Sequence, residues 1–198
     1  MVERQLRRRG IYDERVLAAM NEVPRELFLP KDQRRRAYRD GAVRIGEGQT
    51  MSQPWIVACM SQLLELDGSE TVLEVGTGSG YAAAVLSLLC REVVTIERYE
   101  SLAVSAEQTL HELGYDNVVV GVGDGSRGAP ERAPFGGISV TATARDEPPA
   151  ALLEQLAPGA ALVCPVERSG RELLICFRDG EEEVVTGVRF VPLVTGDS

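Results

Sequence analysis

Histidine and lysine are nearly missing from this 198-residue chain, each occurring once, as His111 and Lys31. Cysteine is sparse too: Cys59, Cys90, Cys164 and Cys176 stand far apart, with no Cys-x-x-Cys pair. Structural zinc takes its ligands from paired cysteines and histidines, so no metal site is expected. The residues around each cysteine (IVACMSQLL, LSLLC, LVCPV, LLICF) are apolar. Free thiols in such settings behave as small buried hydrophobes, which fits a reducing compartment. Long hydrophobic runs are also absent. The longest nearly apolar stretch, Tyr81 to Cys90, is about half the roughly 20 residues of a membrane helix, so no membrane association is expected. The N-terminal MVERQLRRRG has arginines but no apolar stretch behind them and so no signal-peptide core; the expected location is the cytoplasm.

What is present is an ordinary folded composition, 44% hydrophobic and 26% charged, at a length that fits one domain. The net charge of −9 is unevenly spread. Residues 1–50 carry 12 basic and 8 acidic side chains, a balance of +4, whereas the rest carries 9 and 22, a balance of −13. A phosphate-binding surface on the larger part is disfavoured. The arginine clusters at 7–9 and 34–36 sit beside acids in helix-like segments and read as solvated faces, so no nucleic-acid partner is expected.

The first fifty residues read as short helices: one before Gly10, one from Asp13 (the N-cap) to Val23, and one from Lys31 to about Arg39. DGAVRIGEGQTMSQP reads as a long loop, and Pro54 as the first residue of a helix. From Thr71 strands and helices alternate: TVLEV, then the turn GTGSG and helix YAAAVLSLLC; EVVTIE and a helix from Tyr99 to Leu113; NVVVGV; FGGISVTA and helix PPALLEQLA; GAALVCPV. The strands ELLICFR and EEEVVTGVRFVPL follow, joined at Asp179-Gly180, a hairpin signal. This order predicts an α/β fold, a doubly wound and mostly parallel sheet with helices on both faces, antiparallel strands at the C-terminus and an N-terminal helical cap. Residues 1–198 are expected to form a single domain, with the cap and loop over 1–53 and the α/β core over 54–198.

The strongest local signal is VLEVGTGSG, in which a strand runs into Gly76, Gly78 and Gly80 and a helix follows at once. Glycines there let the chain turn sharply and let a nucleotide-like ligand approach the main chain at the first βα crossing. A dinucleotide fingerprint needs its third glycine at position 81, which is Tyr81, so a nicotinamide oxidoreductase is disfavoured. Gly-x-Gly-x-Gly preceded by Glu74 resembles the pattern of S-adenosylmethionine-dependent methyltransferases. Glu97 closes the second strand, where an acid can accept both ribose hydroxyls, and Asp124 follows the third, where an acceptor can receive the adenine amino group.

With these residues in place the whole chain resembles the protein-L-isoaspartate O-methyltransferase family, the carboxyl methyltransferases of damaged-protein repair. The matching stretches are MVERQLRRRGIYDERVLAAMNEVPRELFLP, the loop IGEGQTMSQP, VLEVGTGSGYAAAVL, VVTIER, LGYDNV with GDG, APFGGISVTA, PPALLEQLAPGAALVCPV and the ending VRFVPLV. The resemblance implies S-adenosyl-L-methionine as cofactor and isoaspartyl proteins or peptides as substrates, methylated on a carboxylate so that a succinimide can form. It implies Ser52 as the catalytic serine with Thr50 beside it. Glu74, Gly76, Thr77, Gly78, Gly80, Glu97, Asp124 and Gly125 are then cofactor contacts, and Gln49, Met51, Val140, Thr141 and Ala142 line the substrate channel. A monomer is expected. His111 lies outside every motif and reads as a surface residue.

Some positions depart from the family pattern. AVRIGEGQT stands where Pro-Leu-Pro commonly precedes the loop, adding Arg44 and Glu47; FGGISVTATARDEP has Gly136 in place of an aspartate and brings Thr143, Arg145 and Asp146 toward the channel; Glu167 replaces a glycine. These changes bear on substrate choice more than on cofactor binding. They leave open general repair and a dedicated methyltransferase acting on one peptide or natural-product precursor; a binding module without turnover is disfavoured by the intact glycines, Glu97, Asp124 and Ser52.

Overall fold

A computed structural model describes residues 1–196. It begins with a helical turn at Val2–Leu6 and a 3-10 turn at Arg7–Arg9, and then α1 (Glu14–Glu22), whose N-cap Asp13 accepts from the amides of Arg15 and Val16. The helix expected from Lys31 to Arg39 is not formed; only the 3-10 turn Arg34–Arg36 is regular. Ala37 is the sole buried side chain of that stretch, so a helix there would have no apolar face to hold it. The expected long loop is instead a hairpin, β1 (Val43–Gly46) against β2 (Gln49–Met51), with Val43 opposite Met51 and Arg44 opposite Thr50. Then follows α2 (Pro54–Leu63), with Pro54 in its first turn.

The main sheet is built on β3 (Thr71–Val75), β4 (Glu92–Glu97), β5 (Val118–Val122) and β6 (Phe135–Val140), with β7 (Ala144–Arg145), β8 (Leu156–Arg168), β9 (Arg171–Arg178) and β10 (Glu181–Gly187) completing it. The strand order is β10-β9-β8-β6-β3-β4-β5, parallel from β8 through β5 and antiparallel from β8 to β10, with β7 pairing β8. Asp179-Gly180 closes the β9–β10 hairpin as expected, and Ser169-Gly170 closes another between β8 and β9. The chain after β10 leaves the sheet: Val188 and Phe190 are held by the main-chain oxygen and side chain of Glu172, and Pro192 bridges Thr143.

β3 and β4 are buried on both faces, as in parallel sheets covered by helices, and are apolar except at Glu74, Thr95 and Glu97 and at their first residues. One face packs against the N-terminal elements, α2 and α3 (Tyr81–Ser87); the other carries Phe135, Ile138, Leu152 and Leu162. Two helices are shorter than the sequence suggests. α3 stops at Ser87 rather than Cys90, because Ser87 Oγ bonds back to Ala84 O and the last turn tightens. α5 spans only Ala150–Leu153, since buried Gln155 turns the chain into β8 and ties it to Arg127, Ala129 and Phe135. α4 (Glu100–Glu112) carries an exposed His111. All four cysteines are free, buried thiols, and burial pushes Cys90 and Cys164 up to about 12. Among the described residues no helix is long and apolar enough to cross a membrane.

Candidate active site

The sheet delivers three strand ends to one edge, and a cavity lies there. Its floor is the glycine turn after β3. Gly76 has φ +96°, a conformation side chains rarely adopt, and a Cβ on it would stand 2.3 Å from Thr141 Oγ1. That hydroxyl in turn donates to Gly76 O at 2.7 Å, locking the turn to the end of β6. Gly80, with φ +85°, starts α3, and its amide closes on Thr77 O at 2.9 Å. Gly125 is pressed against β3, where a Cβ would meet Val75 Cγ1 at 2.5 Å. Gly76, Thr77, Gly78 and Gly125 all line the cavity.

Glu97 lines the opposite wall. It is 6% exposed, and its oxygens accept from Gly78 N at 2.8 Å and Tyr99 N at 3.0 Å. A carboxylate offers about four acceptor positions, so two remain. The hairpin supplies the roof: Gln49, Thr50, Met51 and Ser52 all face the cavity, as do Thr141 and Ala142 from the end of β6. Neither the Thr50 nor the Ser52 hydroxyl has a hydrogen-bond partner among the described residues, so both are free to donate. Ser52 does not cap α2; Gln53 is the N-cap and makes no side-chain cap bond.

Four expected site residues fall elsewhere. Gly80, the N-cap of α3, faces Ala106 and Leu110 rather than the cavity. Val140 is fully buried behind the wall. Glu74, also fully buried, lies beneath the turn: Thr77 Oγ1 is 2.7 Å from Thr95 Oγ1, which donates to Glu74 Oε2 at 2.6 Å. Burial, reinforced by the charge of Glu97, pushes the Glu74 carboxyl up to about 8. Side chains alternate along β3, and this one points into the sheet's packed face rather than along the edge. Asp124 borders a neighbouring hollow beside β5. Its Oδ1 accepts from the amide and hydroxyl of Ser126, and its Oδ2 from Gly196 N at 2.7 Å. Burial alone would raise this carboxyl; those bonds and nearby Arg127 hold it below its usual range.

Sequence reading missed Arg98, Tyr99, Tyr81 and the segment Val191–Val194, all of which line the cavity. The last had a signal: Pro192 sits in what reads as a strand, and proline inside a strand pattern argues against that assignment.

The family profile described as "Protein-L-isoaspartate(D-aspartate) O-methyltransferase (PCMT)" matches residues 1–198. The chain belongs to this family. A protein-L-isoaspartate O-methyltransferase of Synechococcus sp. is 51% identical over 98% of this chain and 84% of its own. One from Syntrophobacter fumaroxidans is 50% identical over 98% and 92%. A solved protein-L-isoaspartate O-methyltransferase superposes with a TM-score of 0.84 at 30% identity over 97% of this chain and 65% of that one. A Plasmodium falciparum structure described as the same kind of enzyme, in complex with S-adenosyl-L-homocysteine, superposes with a TM-score of 0.81 at 25% identity over 96% and 95%.

The departures from the protein-L-isoaspartate methyltransferase pattern do not line this cavity. Gly136 is a packing matter, since a Cβ there would press on Glu70 Cγ at 2.5 Å. Glu167 accepts from Gly170 N and so stabilises the β8–β9 turn, and Glu47 accepts from Ser101 Oγ. Arg44 and Arg145 are exposed, on β1 and β7. Thr143 acts at one remove: its hydroxyl donates to Glu172, and its main chain pairs with Val191 and Leu193, which form part of the wall.

Proposed function

We propose that this protein methylates the carboxylate of L-isoaspartyl residues in damaged proteins or peptides, using S-adenosylmethionine, and so starts their repair through a succinimide. The observation carrying this reading is that one cavity joins a glycine turn and strand-end Glu97 to two unengaged hydroxyls, Thr50 and Ser52. The cofactor suits these residues. Glu97 keeps acceptor capacity for two ribose hydroxyls, the turn leaves Gly76 and Gly78 without side chains, and Val75, Ile96 and Met51 give apolar walls. When bound, S-adenosylmethionine supplies an electrophilic methyl group.

The chain's own work is orientation. A substrate carboxylate with a pKa near 4 is already ionised at neutral pH, so no general base is needed, and His111 does not line the cavity. Thr50 and Ser52 donate to that carboxylate and fix which oxygen faces the methyl group, and Thr141 and Ala142 bound the space it occupies. Glu74 serves from below, through Thr95 and Thr77, as support for the turn. Asp124 has two acceptor positions taken by Ser126 and one by Gly196 N, so one on Oδ2 is left for an adenine amino group. The reading includes a cytoplasmic monomer. Four buried free thiols fit a reducing compartment. No specific observation favours a dedicated peptide substrate.

The test is methyl transfer to two peptides that differ only in isoaspartate against aspartate, with mass spectrometry of both products. Label on the isoaspartyl peptide alone is expected, and Ser52→Ala should lower kcat/KM about tenfold by removing one donor to a charged acceptor. Equal labelling of both peptides, or none of either, would overturn the assignment.

A further inference from the structure

Arg25, in the 3-10 turn Arg25–Phe28, has no solvent exposure at all. A guanidinium taken out of water is ordinarily paired with a carboxylate, which offsets the lost hydration. Arg25 has no such partner: among the described residues no acidic side chain pairs with it, and its Nη1 makes no hydrogen bond. The other nitrogens are committed to main-chain oxygens. Nε donates to Ala37 O at 2.7 Å and Nη2 to Ser52 O at 2.5 Å. The guanidinium carbon also lies 4.5 Å from the centroid of the Tyr81 ring, in cation–π contact. Burial lowers the pKa of this arginine and the neighbouring Tyr81 opposes the shift, but arginine stays charged in proteins.

Three separate parts of the molecule therefore meet at one side chain: the N-terminal cap at Ala37, the roof hairpin's exit at Ser52, and Tyr81, which opens α3 after the glycine turn and lines the cavity. The geometry points to Arg25 as a positioning residue for the peptide half of the reaction, holding Thr50–Ser52 in register with the glycine turn. This rests on the functional reading above. Arg25 grips the Ser52 carbonyl rather than the hydroxyl, which leaves Oγ for the substrate carboxylate. Only a planar fork serves two carbonyls while stacking on a ring; a lysine ammonium reaches one of them as a point charge. An apolar residue would leave the carbonyls of Ala37 and Ser52 without this donor.

Arg25→Met, Arg25→Lys and wild type are compared in three readouts: S-adenosylhomocysteine affinity by calorimetry, kcat and KM for an isoaspartyl peptide, and amide hydrogen exchange. Arg25→Met should keep S-adenosylhomocysteine affinity within about threefold. It should lose roughly 100-fold in kcat/KM for the peptide, the scale of an ~1 Å misplacement of a catalytic group. Exchange over residues 43–53 should quicken while that over 71–80 does not change. Arg25→Lys should recover part of the loss, and it carries the same comparison if the Met variant does not fold. Proportional losses toward both ligands, or unchanged exchange at 43–53, would overturn the proposal. A wild type that methylates no isoaspartyl peptide overturns the functional reading instead, and the exchange pattern then still decides whether Arg25 positions the loop.

Discussion

Replacing Glu97 by alanine is expected to weaken S-adenosylhomocysteine binding by about a thousandfold, roughly 4 kcal/mol, while the sheet stays folded. In the protein alone the carboxylate accepts from Gly78 N and Tyr99 N, which tie the glycine turn to the loop that opens α4. Its two remaining acceptor positions are those proposed for the ribose hydroxyls. Hydrogen bonds to a charged group are worth about 1.5–3 kcal/mol each, so losing both ribose contacts accounts for the size of the effect. Glu97→Gln separates the two roles. It keeps the shape but supplies one oxygen and an NH2 that meets a backbone donor head-on, so it should fall nearly as far as alanine. Calorimetry with S-adenosylhomocysteine checks both variants. An affinity within tenfold of wild type in Glu97→Ala would remove Glu97 from the cofactor site.

Glu97 was legible in the sequence because its signal is local: a strand of apolar residues ends in an acid, downstream of a glycine turn on the neighbouring strand. The parallel sheet follows from the same rhythm of strands and helices, and Asp13 and Asp179-Gly180 mark their boundaries by short-range chemistry. What was not legible depends on contacts far apart in the chain. Arg25 lies in an arginine-rich segment, and nothing near it announces that the carbonyl of Ser52, 27 residues away, will accept from its guanidinium. The hairpin β1–β2 was hidden because its strands are four and three residues long, and long-range packing over the cavity is what holds them. Val191–Val194 became cavity wall because Glu172 and Thr143 draw that segment out of the sheet. Glu74 shows the opposite failure. The motif placed it near the cofactor, but the strand's alternation turned its side chain inward toward Thr95, its neighbour in the parallel register.

That inward turn gives Glu74 a pH signature. Its carboxyl rises from an ordinary 4.5 to about 8, chiefly through complete burial, and Oε1 has no hydrogen-bond partner. Between those two values the folded chain keeps a proton that the unfolded chain has released, so stability falls as pH rises. The favourable contribution is complete below about pH 4.5, is lost progressively toward pH 8 and changes no further above it. At about 1.36 kcal/mol per unit, the whole window amounts to roughly 5 kcal/mol, of which about 4 falls between pH 5 and 8.5. Glu74→Gln is a neutral residue of the same shape that can still accept from Thr95, and it should remove this slope. Urea unfolding at pH 5, 7 and 8.5 should show wild type losing about 4 kcal/mol relative to the variant across the series. The turn should respond as well, since an ionised Glu74 pulls harder on Thr95 and through it on Thr77, directly under the proposed cofactor seat. S-adenosylhomocysteine affinity should then change above pH 8 in wild type and stay level in Glu74→Gln. Parallel stability curves for the two proteins would mean that Glu74 is already ionised in the fold, and the support it gives the turn would have to be electrostatic rather than that of a buried neutral acid.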